Sequence, residues 1–294
     1  MTHPFPVHVP VMPDEVVGWL DPRPDAVIVD GTLGGGGHTR LLAERVGAAG
    51  RIIALDRDPA ALAAAERNLA GLPVELVHAN FCDLPEVLKQ LEIPAVDGVL
   101  LDLGVSSDQL ADRQRGFSFA AEGPLDLRFD PTTGEPASRL VNRLSAQHLA
   151  DLIYRYGEER YSRRIARAIV ESRRKGPIST AAELAELVRR TVPKVPGVRQ
   201  IDAATRTFQA LRIAVNDELK SLEIALRRTA DCLGRQGRFV VISFHSLEDR
   251  RAKEAFRDDE RYEVLTRKPV RPTAEEIARN PRASSAKLRA AERK

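Results

Sequence analysis

Short unbroken apolar runs alternate with helical patterns through the first hundred residues, and this alternation restricts the fold more than any other feature of the chain. Residues 26–30 (AVIVD), 51–56 (RIIALD), 74–78 and 96–103 (VDGVLLDL) read as buried strands. Residues 39–46, 59–69 and 84–91 read as helices between them, the second opened by Pro59 in its first turn. Strands that are apolar on both faces and joined by helices form a parallel sheet covered on both sides. The pattern stops near residue 111. Residues 111–136 are polar and rich in glycine and proline, and three amphipathic helices follow without strands at 145–156, 158–174 and 180–192. The third begins Thr180-Ala-Ala-Glu183, a capping box. The α/β pattern returns with a helix at 216–233, a strand at 238–243 (RFVVIS) and a helix at 247–256. The expected organisation is an α/β domain made of residues 1–110 and 212–294, interrupted by a helical insert at 111–211.

Composition removes whole classes. No run of 18 apolar residues occurs, and residues 1–10 lack a basic start followed by an apolar stretch, so a soluble cytosolic chain without a membrane partner is expected. Cys82 and Cys232 lie far apart with no C-x-x-C, which excludes a disulfide scaffold and a cysteine-built zinc site. The formal charge of +3 says little, but basic residues concentrate in two runs. Residues 154–175 hold eight Lys or Arg against three Glu, and residues 267–294 hold nine against three. Most charge runs are solvated faces, yet two on a near-neutral chain fit a polyanion partner.

The densest signal is Asp30-Gly31-Thr32-Leu33-Gly34-Gly35-Gly36-Gly37-His38, between a strand and a helix. Glycines let backbone approach a ligand and adopt positive φ. No lysine follows, so this is no P-loop, and Thr39 stands where a dinucleotide fingerprint needs its last glycine. A glycine loop flanked by Asp30 suits a nucleoside ligand bearing an ammonium group, such as S-adenosylmethionine; the bland alternative is a tight turn. Asp56 ends the second strand, where a carboxylate accepts from ribose hydroxyls, while Asp58 reads as the N-cap before Pro59. Phe81 and Asp83 follow the third strand on the expected adenine side, though Asp83 is equally a natural N-cap. Asp102 ends the fourth strand, so Asp30, Asp56 and Asp102 converge on one sheet edge. Gly104-Val105-Ser106 lacks the elbow of a serine hydrolase, and Ser106 and Ser107 read as a hydrogen-bonded turn. His38 and His245 lack a metal-ligand partner at two to four residues, so no metal is expected; for His245, substrate contact and a buried hydrogen-bonded role stay equally open.

Several blocks are family-specific. The glycine loop, Leu101-Asp102-Leu103-Gly104-Val105-Ser106-Ser107, Arg115-Gly116-Phe117-Ser118-Phe119 and Gly123-Pro124-Leu125-Asp126 lie in the first half. Tyr156-Gly157-Glu158-Glu159-Arg160, Arg206-Thr207-Phe208-Gln209-Ala210-Leu211-Arg212, Ser243-Phe244-His245-Ser246-Leu247-Glu248-Asp249-Arg250 and Asn280-Pro281-Arg282-Ala283-Ser284-Ser285 follow. In this order over nearly the whole chain they resemble the bacterial 16S rRNA cytosine-N4 methyltransferases, the RsmH (MraW) family. One departure is Asp202-Ala203 where that family usually has His-Pro. The resemblance implies a class I S-adenosylmethionine-dependent methyltransferase with a Rossmann-like, mostly parallel seven-stranded sheet and an inserted all-helical RNA-recognition domain. It implies methylation of the exocyclic N4 of a cytidine in the decoding region (P site) of 16S rRNA in the small ribosomal subunit. It carries cofactor contacts onto Gly36, Gly37, His38, Asp56, Phe81, Asp102 and Gln109, to which the loop reading adds Asp30 and Gly34.

The N4 lone pair of cytosine is delocalised, so the amine must be held in line with the methyl donor with an acceptor on one N–H. The Asn/Asp-Pro-Pro-aromatic turn of many amino methyltransferases is absent, replaced by Asp102-Leu103-Gly104-Val105. Asp102 is the expected orienting group, with His245 the second candidate, and Phe117, Phe119 or His245 are expected to hold the unstacked base. A dehydrogenase is disfavoured by the glycine spacing and a hydrolase by the missing elbow. A noncatalytic RNA-binding module leaves the glycine loop unexplained. Oligomeric state stays open, a homodimer among the alternatives.

Overall fold

The computed structural model describes residues 9–118, 123–193 and 202–294. These residues form two compact units, one made of residues up to 106 and from 219 onward, the other of Ser107–Glu218.

The first unit carries a seven-stranded sheet. Its strands are β1 (Val27–Asp30), β2 (Arg51–Asp56), β3 (Val74–His78), β4 (Val96–Asp102), β5 (Leu233–Ser243), β6 (Tyr262–Val264) and β7 (Lys287–Arg293), in the order β3-β2-β1-β4-β5-β7-β6. The first five pair in parallel, and β7 runs antiparallel to both β5 and β6. One face packs against α4 (Leu84–Gln90), α11 (Glu218–Cys232) and α12 (Ser246–Asp258), through residues such as Leu88, Leu226 and Phe256. The other packs against α1 (Pro13–Leu20) and α2 (Gly37–Val46), with Leu20, Leu42 and Val46 in its core. Helix α3 (Pro59–Asn68) covers the β2–β3 end through Ala65 and Leu62. This is the doubly wound α/β fold that continuous apolar strands dictate, since both faces need a cover. Strand order reverses between β1 and β4, whose carboxyl ends therefore flank a crevice.

The sequence expects β2 and β3 at their observed limits and β1 and β4 to within one residue. It does not anticipate α1, β6, α13 (Ala274–Arg279) or β7. β7 reads KLRAAER, a composition with high helix propensity, yet pairing with β5 and burial of Leu288, Ala290 and Ala291 make it a strand.

The second unit is helical among its described residues: α5 (Ser107–Ala111), α6 (Ala137–Arg143), α7 (Ala146–Gly157), α8 (Ser162–Ser172), α9 (Ala181–Thr191) and α10 (Ala204–Asn216). Helices α7, α8, α9 and α10 bury Ile153, Ile165, Ile169, Leu184, Val188, Phe208 and Leu211 among themselves. Thr180 caps α9 by accepting from the Glu183 N–H at 3.2 Å, and the Glu183 carboxylate reaches back to the Ser179 N–H. Asp202, the departure from the resembled family, pairs with Arg189 at 2.8 Å and accepts from the Ala204 N–H at the start of α10. The Arg189 guanidinium holds the Asp202 carboxyl below the usual range.

Candidate active site

Asp30, at the end of β1, is fully buried. Its Oδ2 accepts from Thr39 Oγ1 at 2.6 Å, and its Oδ1 accepts from the Thr32 N–H at 3.1 Å. Burial raises its pKa despite those donors. Both of its oxygens thus brace the loop from within. Thr32 then links the strand ends, its Oγ1 accepting from the Asp102 N–H at 2.6 Å.

The glycine loop that follows is tied to β2. The Leu33 N–H donates to the Leu55 carbonyl, and the Gly34 N–H donates to Asp56 Oδ2 at 2.8 Å. Gly34 (φ +49°) and Gly36 (φ +77°) occupy the left-handed region, where a side chain is strained. A Cβ on Gly31 would come within 2.5 Å of the Leu101 side chain. Gly36 then precedes α2 and supplies no capping side chain, so the first amides of α2 are left for another acceptor.

Asp56 and Asp102 complete the edge. Asp56 Oδ1 accepts from the Asp58 N–H at 2.9 Å, and Asp58 caps α3 through the Ala60 N–H at 3.0 Å, the expected N-cap. Burial pushes the Asp56 carboxyl up to about 6, against its two backbone donors. His38 lies in the first turn of α2 and is buried, with Nε2 at 3.4 Å from Asp102 Oδ2. Burial by itself opposes a charged imidazole, but the adjoining Asp102 carboxylate outweighs it and raises the His38 pKa. The other Asp102 oxygen, Oδ1, is buried with no hydrogen-bond partner among the described residues. A buried carboxylate oxygen without a donor is costly and marks where a ligand donor belongs.

Phe81 begins a short 3₁₀ turn and packs against the core face shared by α4 and α11, its Cβ 3.0 Å from where a Gly31 side chain would stand. Asp83 is exposed and makes no capping bond to α4; Asn80 braces the turn instead, accepting from the Cys82 N–H and donating to Ser221 Oγ.

His245 caps α12. Its Nδ1 accepts from the Glu248 N–H at 3.4 Å, Nε2 lies 3.1 Å from Glu248 Oε1, and the Glu248 carboxylate accepts from the Phe244 and His245 N–H groups. This reciprocal box engages Nδ1, while Nε2 is buried with no hydrogen-bond partner among the described residues. His245 thus braces the turn after β5. Among the described residues no group of three His, Cys, Asp or Glu could hold a metal ion.

Two site candidates belong to the second unit. Gln109 lies in α5 and is buried. Phe117, expected to hold a base, is instead buried in that unit, stacked on Phe129 at 5.7 Å between centroids. Phe119 lies outside the described residues.

The sequence also misses a frame around the loop. Pro10 packs on Gly37, 3.0 Å from a Cβ placed there. The Met12 N–H donates to Glu276 Oε1 at 2.6 Å, Asn280 Nδ2 donates to the Val9 carbonyl, and Arg282 reaches the Ser106 carbonyl. The block at 280–285 thus joins the N-terminal segment to the turn after β4. Buried Asn280 in Asn-Pro-Arg was the available signal.

The family model described as the MraW methylase family matches residues 6–294. The chain is 51% identical to the ribosomal RNA small subunit methyltransferase H of Rhodopirellula baltica, over 97% of this chain and 91% of that protein. It is 51% identical to the protein of the same name from Sorangium cellulosum, over 97% and 90%. Among solved structures, an rRNA methylase from Streptococcus thermophilus aligns over 96% of this chain and 93% of its own, at 12% identity and a TM-score of 0.45.

Proposed function

The chain belongs to the MraW methylase family, and on that premise we propose that it transfers a methyl group from S-adenosylmethionine to the exocyclic N4 of a cytidine in the decoding region of small-subunit ribosomal RNA. The observation that carries this reading is the buried, donorless Asp102 Oδ1 at the switch point, beside the positive-φ glycine loop and Asp56.

These residues fit the cofactor. Gly34, Gly36 and Gly37 form a backbone cradle, the uncapped start of α2 suits a carboxylate, and Asp56 is placed to accept from ribose hydroxyls. Phe81 joins them as a contact that the family likeness carries over, and Asp30 acts by fixing the loop through Thr32 and Thr39. When bound, S-adenosylmethionine supplies an electrophilic sulfonium methyl. The chain must then orient a weakly nucleophilic amine roughly 3 Å from it. Asp102 Oδ1 accepts one N4–H, drawing the amine toward a pyramidal geometry with its lone pair directed away from the acceptor. His38 Nε2 stands at ion-pair distance from Oδ2, which favours the carboxylate orientation that leaves Oδ1 for substrate. His245 and Glu248 fix the adjoining turn after β5.

The test is Asp102→Ala with tritiated cofactor and small-subunit RNA. Turnover is expected to fall on the order of 10²-fold or more, the scale of losing one oriented polar group. Turnover at the unmodified rate would overturn the assignment.

A further inference from the structure

Several arginines of the first unit have carboxylate partners: Arg51 with Glu75, Arg228 with Glu86, Arg251 with Glu223, Arg257 with Asp258 and Arg261 with Asp231. Helix α8 of the second unit gathers arginines of the other kind on one side. Arg160, Arg163, Arg164 and Arg167 are exposed, and none has a carboxylate within ion-pair distance among the described residues. Their spacing of three and four places them on one side of α8 and the turn before it, opposite buried Ile165, Ala166 and Ile169. Arg160–Arg164 and Arg163–Arg167 are like-charge pairs at the spacing where neighbours repel. Arg163 and Arg164 also sit in the first turn, the end of a helix dipole that disfavours cations. For folding alone this is a poor arrangement.

A second feature accompanies the cations. Tyr154, in the last turn of α7, is 64% exposed, the most open large apolar side chain among the described residues. Arg155 lies over the Tyr156 ring and Arg160 over the Tyr161 ring, at 5.8 and 4.6 Å. Guanidinium groups interleaved with aromatic faces suit a nucleic-acid strand whose bases are unstacked, because phosphates meet the cations and bases meet the rings.

We propose that the Arg160–Arg163–Arg164–Arg167 face of α8 tracks the phosphates of a single-stranded RNA segment, with Tyr154 as a stacking platform for one base. The proposal rests on the reading of small-subunit RNA as substrate and adds the strandedness and the surface. At about 1.5 Å per residue the face spans roughly 10 Å, room for two or three phosphates.

The experiment compares the full chain with the variant Arg160→Gln, Arg163→Gln, Arg164→Gln, Arg167→Gln, titrating a single-stranded oligonucleotide from the decoding region and a duplex of the same sequence across salt concentrations. With about 0.7 counterions released per single-strand phosphate, the slope of log K against log salt is expected to fall by about 2. Affinity at ~0.1 M salt is expected to drop at least about tenfold. Tyr154→Ala is expected to weaken single-strand binding severalfold without changing the slope, and cofactor binding stays constant in both variants. An unchanged slope, equal loss on the duplex, or loss of binding to phosphatidylserine vesicles with RNA binding intact overturns the proposal. If the wild type binds the strand through these arginines but methylates no small-subunit RNA, the substrate reading falls and the surface stands. If methylation stands and the slope does not move, the surface falls alone.

Discussion

The two basic runs look alike in sequence and differ in the folded chain. Between residues 267 and 294 several cations serve the fold. Lys287 and Arg289 share Asp249 at 3.1 and 2.7 Å, Arg282 reaches the Ser106 carbonyl, and Lys294 donates to the Glu260 carbonyl. Between residues 154 and 175 Arg173 donates to the carbonyls of Val141 and Leu144 at the end of α6, and Arg167 donates to the Arg163 carbonyl within α8. The rest stand in solvent. Charge count therefore says little about binding; whether the fold already neutralises each charge decides what is left for a partner.

Breaking the buried side of that contrast has the largest expected effect. Asp249→Ala strands Arg289, whose side chain is 6% exposed, and costs about 3–5 kcal/mol. Thermal or urea unfolding would register this, whereas Arg164→Gln stays within about 0.5 kcal/mol of wild type. If the two substitutions shift stability equally, the contrast is empty. Gly36→Ala places a side chain at φ +77°, costing about 1–2 kcal/mol and weakening cofactor binding in calorimetry.

A pH series sharpens the comparison at the sheet edge, where the ionisable groups are withdrawn from solvent. Asp56 loses its proton near pH 6, well above an ordinary carboxyl, and the ionised form is the better acceptor for ribose hydroxyls. Cofactor affinity is thus expected to rise between pH 5 and 7, by about tenfold, and Asp56→Asn to remove that rise. Because the folded protein holds this proton more tightly than the unfolded chain, the same titration lowers stability as pH climbs from about 4 to 6. His38 carries the opposite consequence. Its raised pKa adds stability that is complete below the ordinary histidine value and is lost as pH rises through the folded one. Neutralising Arg267, Lys268 and Arg271 together, exposed cations of the C-terminal run, is expected to change the RNA salt slope by less than about 1, against about 2 for the α8 face. A small effect is expected at Asp202→Ala, which removes a half-exposed pair with Arg189 and costs about 0.5–1 kcal/mol in urea unfolding.

Much of the sheet is legible because β1, β2 and β4 are continuous apolar strings, and nothing but a doubly covered parallel sheet buries such strings. β7 is not legible. Its alanines and arginines favour a helix locally, and only the open edge of β5 makes it a strand. Asp56 and Asp102 can be located from sequence because each closes a strand that the pattern fixes. Their environment cannot, since it depends on Thr32 and His38 meeting Asp102, and the Gly34 N–H meeting Asp56, through space. The seating of Val9 and Met12 on Asn280 and Glu276 spans more than 260 residues, and no periodicity encodes it. His245 escapes notice as a cap because histidine is not among the usual capping residues; the Glu three positions on was the available clue.

The most direct measurement is the nucleoside content of small-subunit RNA from cells with and without this protein, followed by complementation with the wild type and with Asp102→Ala. The account predicts that an N4-methylated cytidine disappears from the decoding region in the deletion, returns with the wild type and stays absent with the variant. An unchanged nucleoside profile in the deletion, or full restoration by Asp102→Ala, would contradict it.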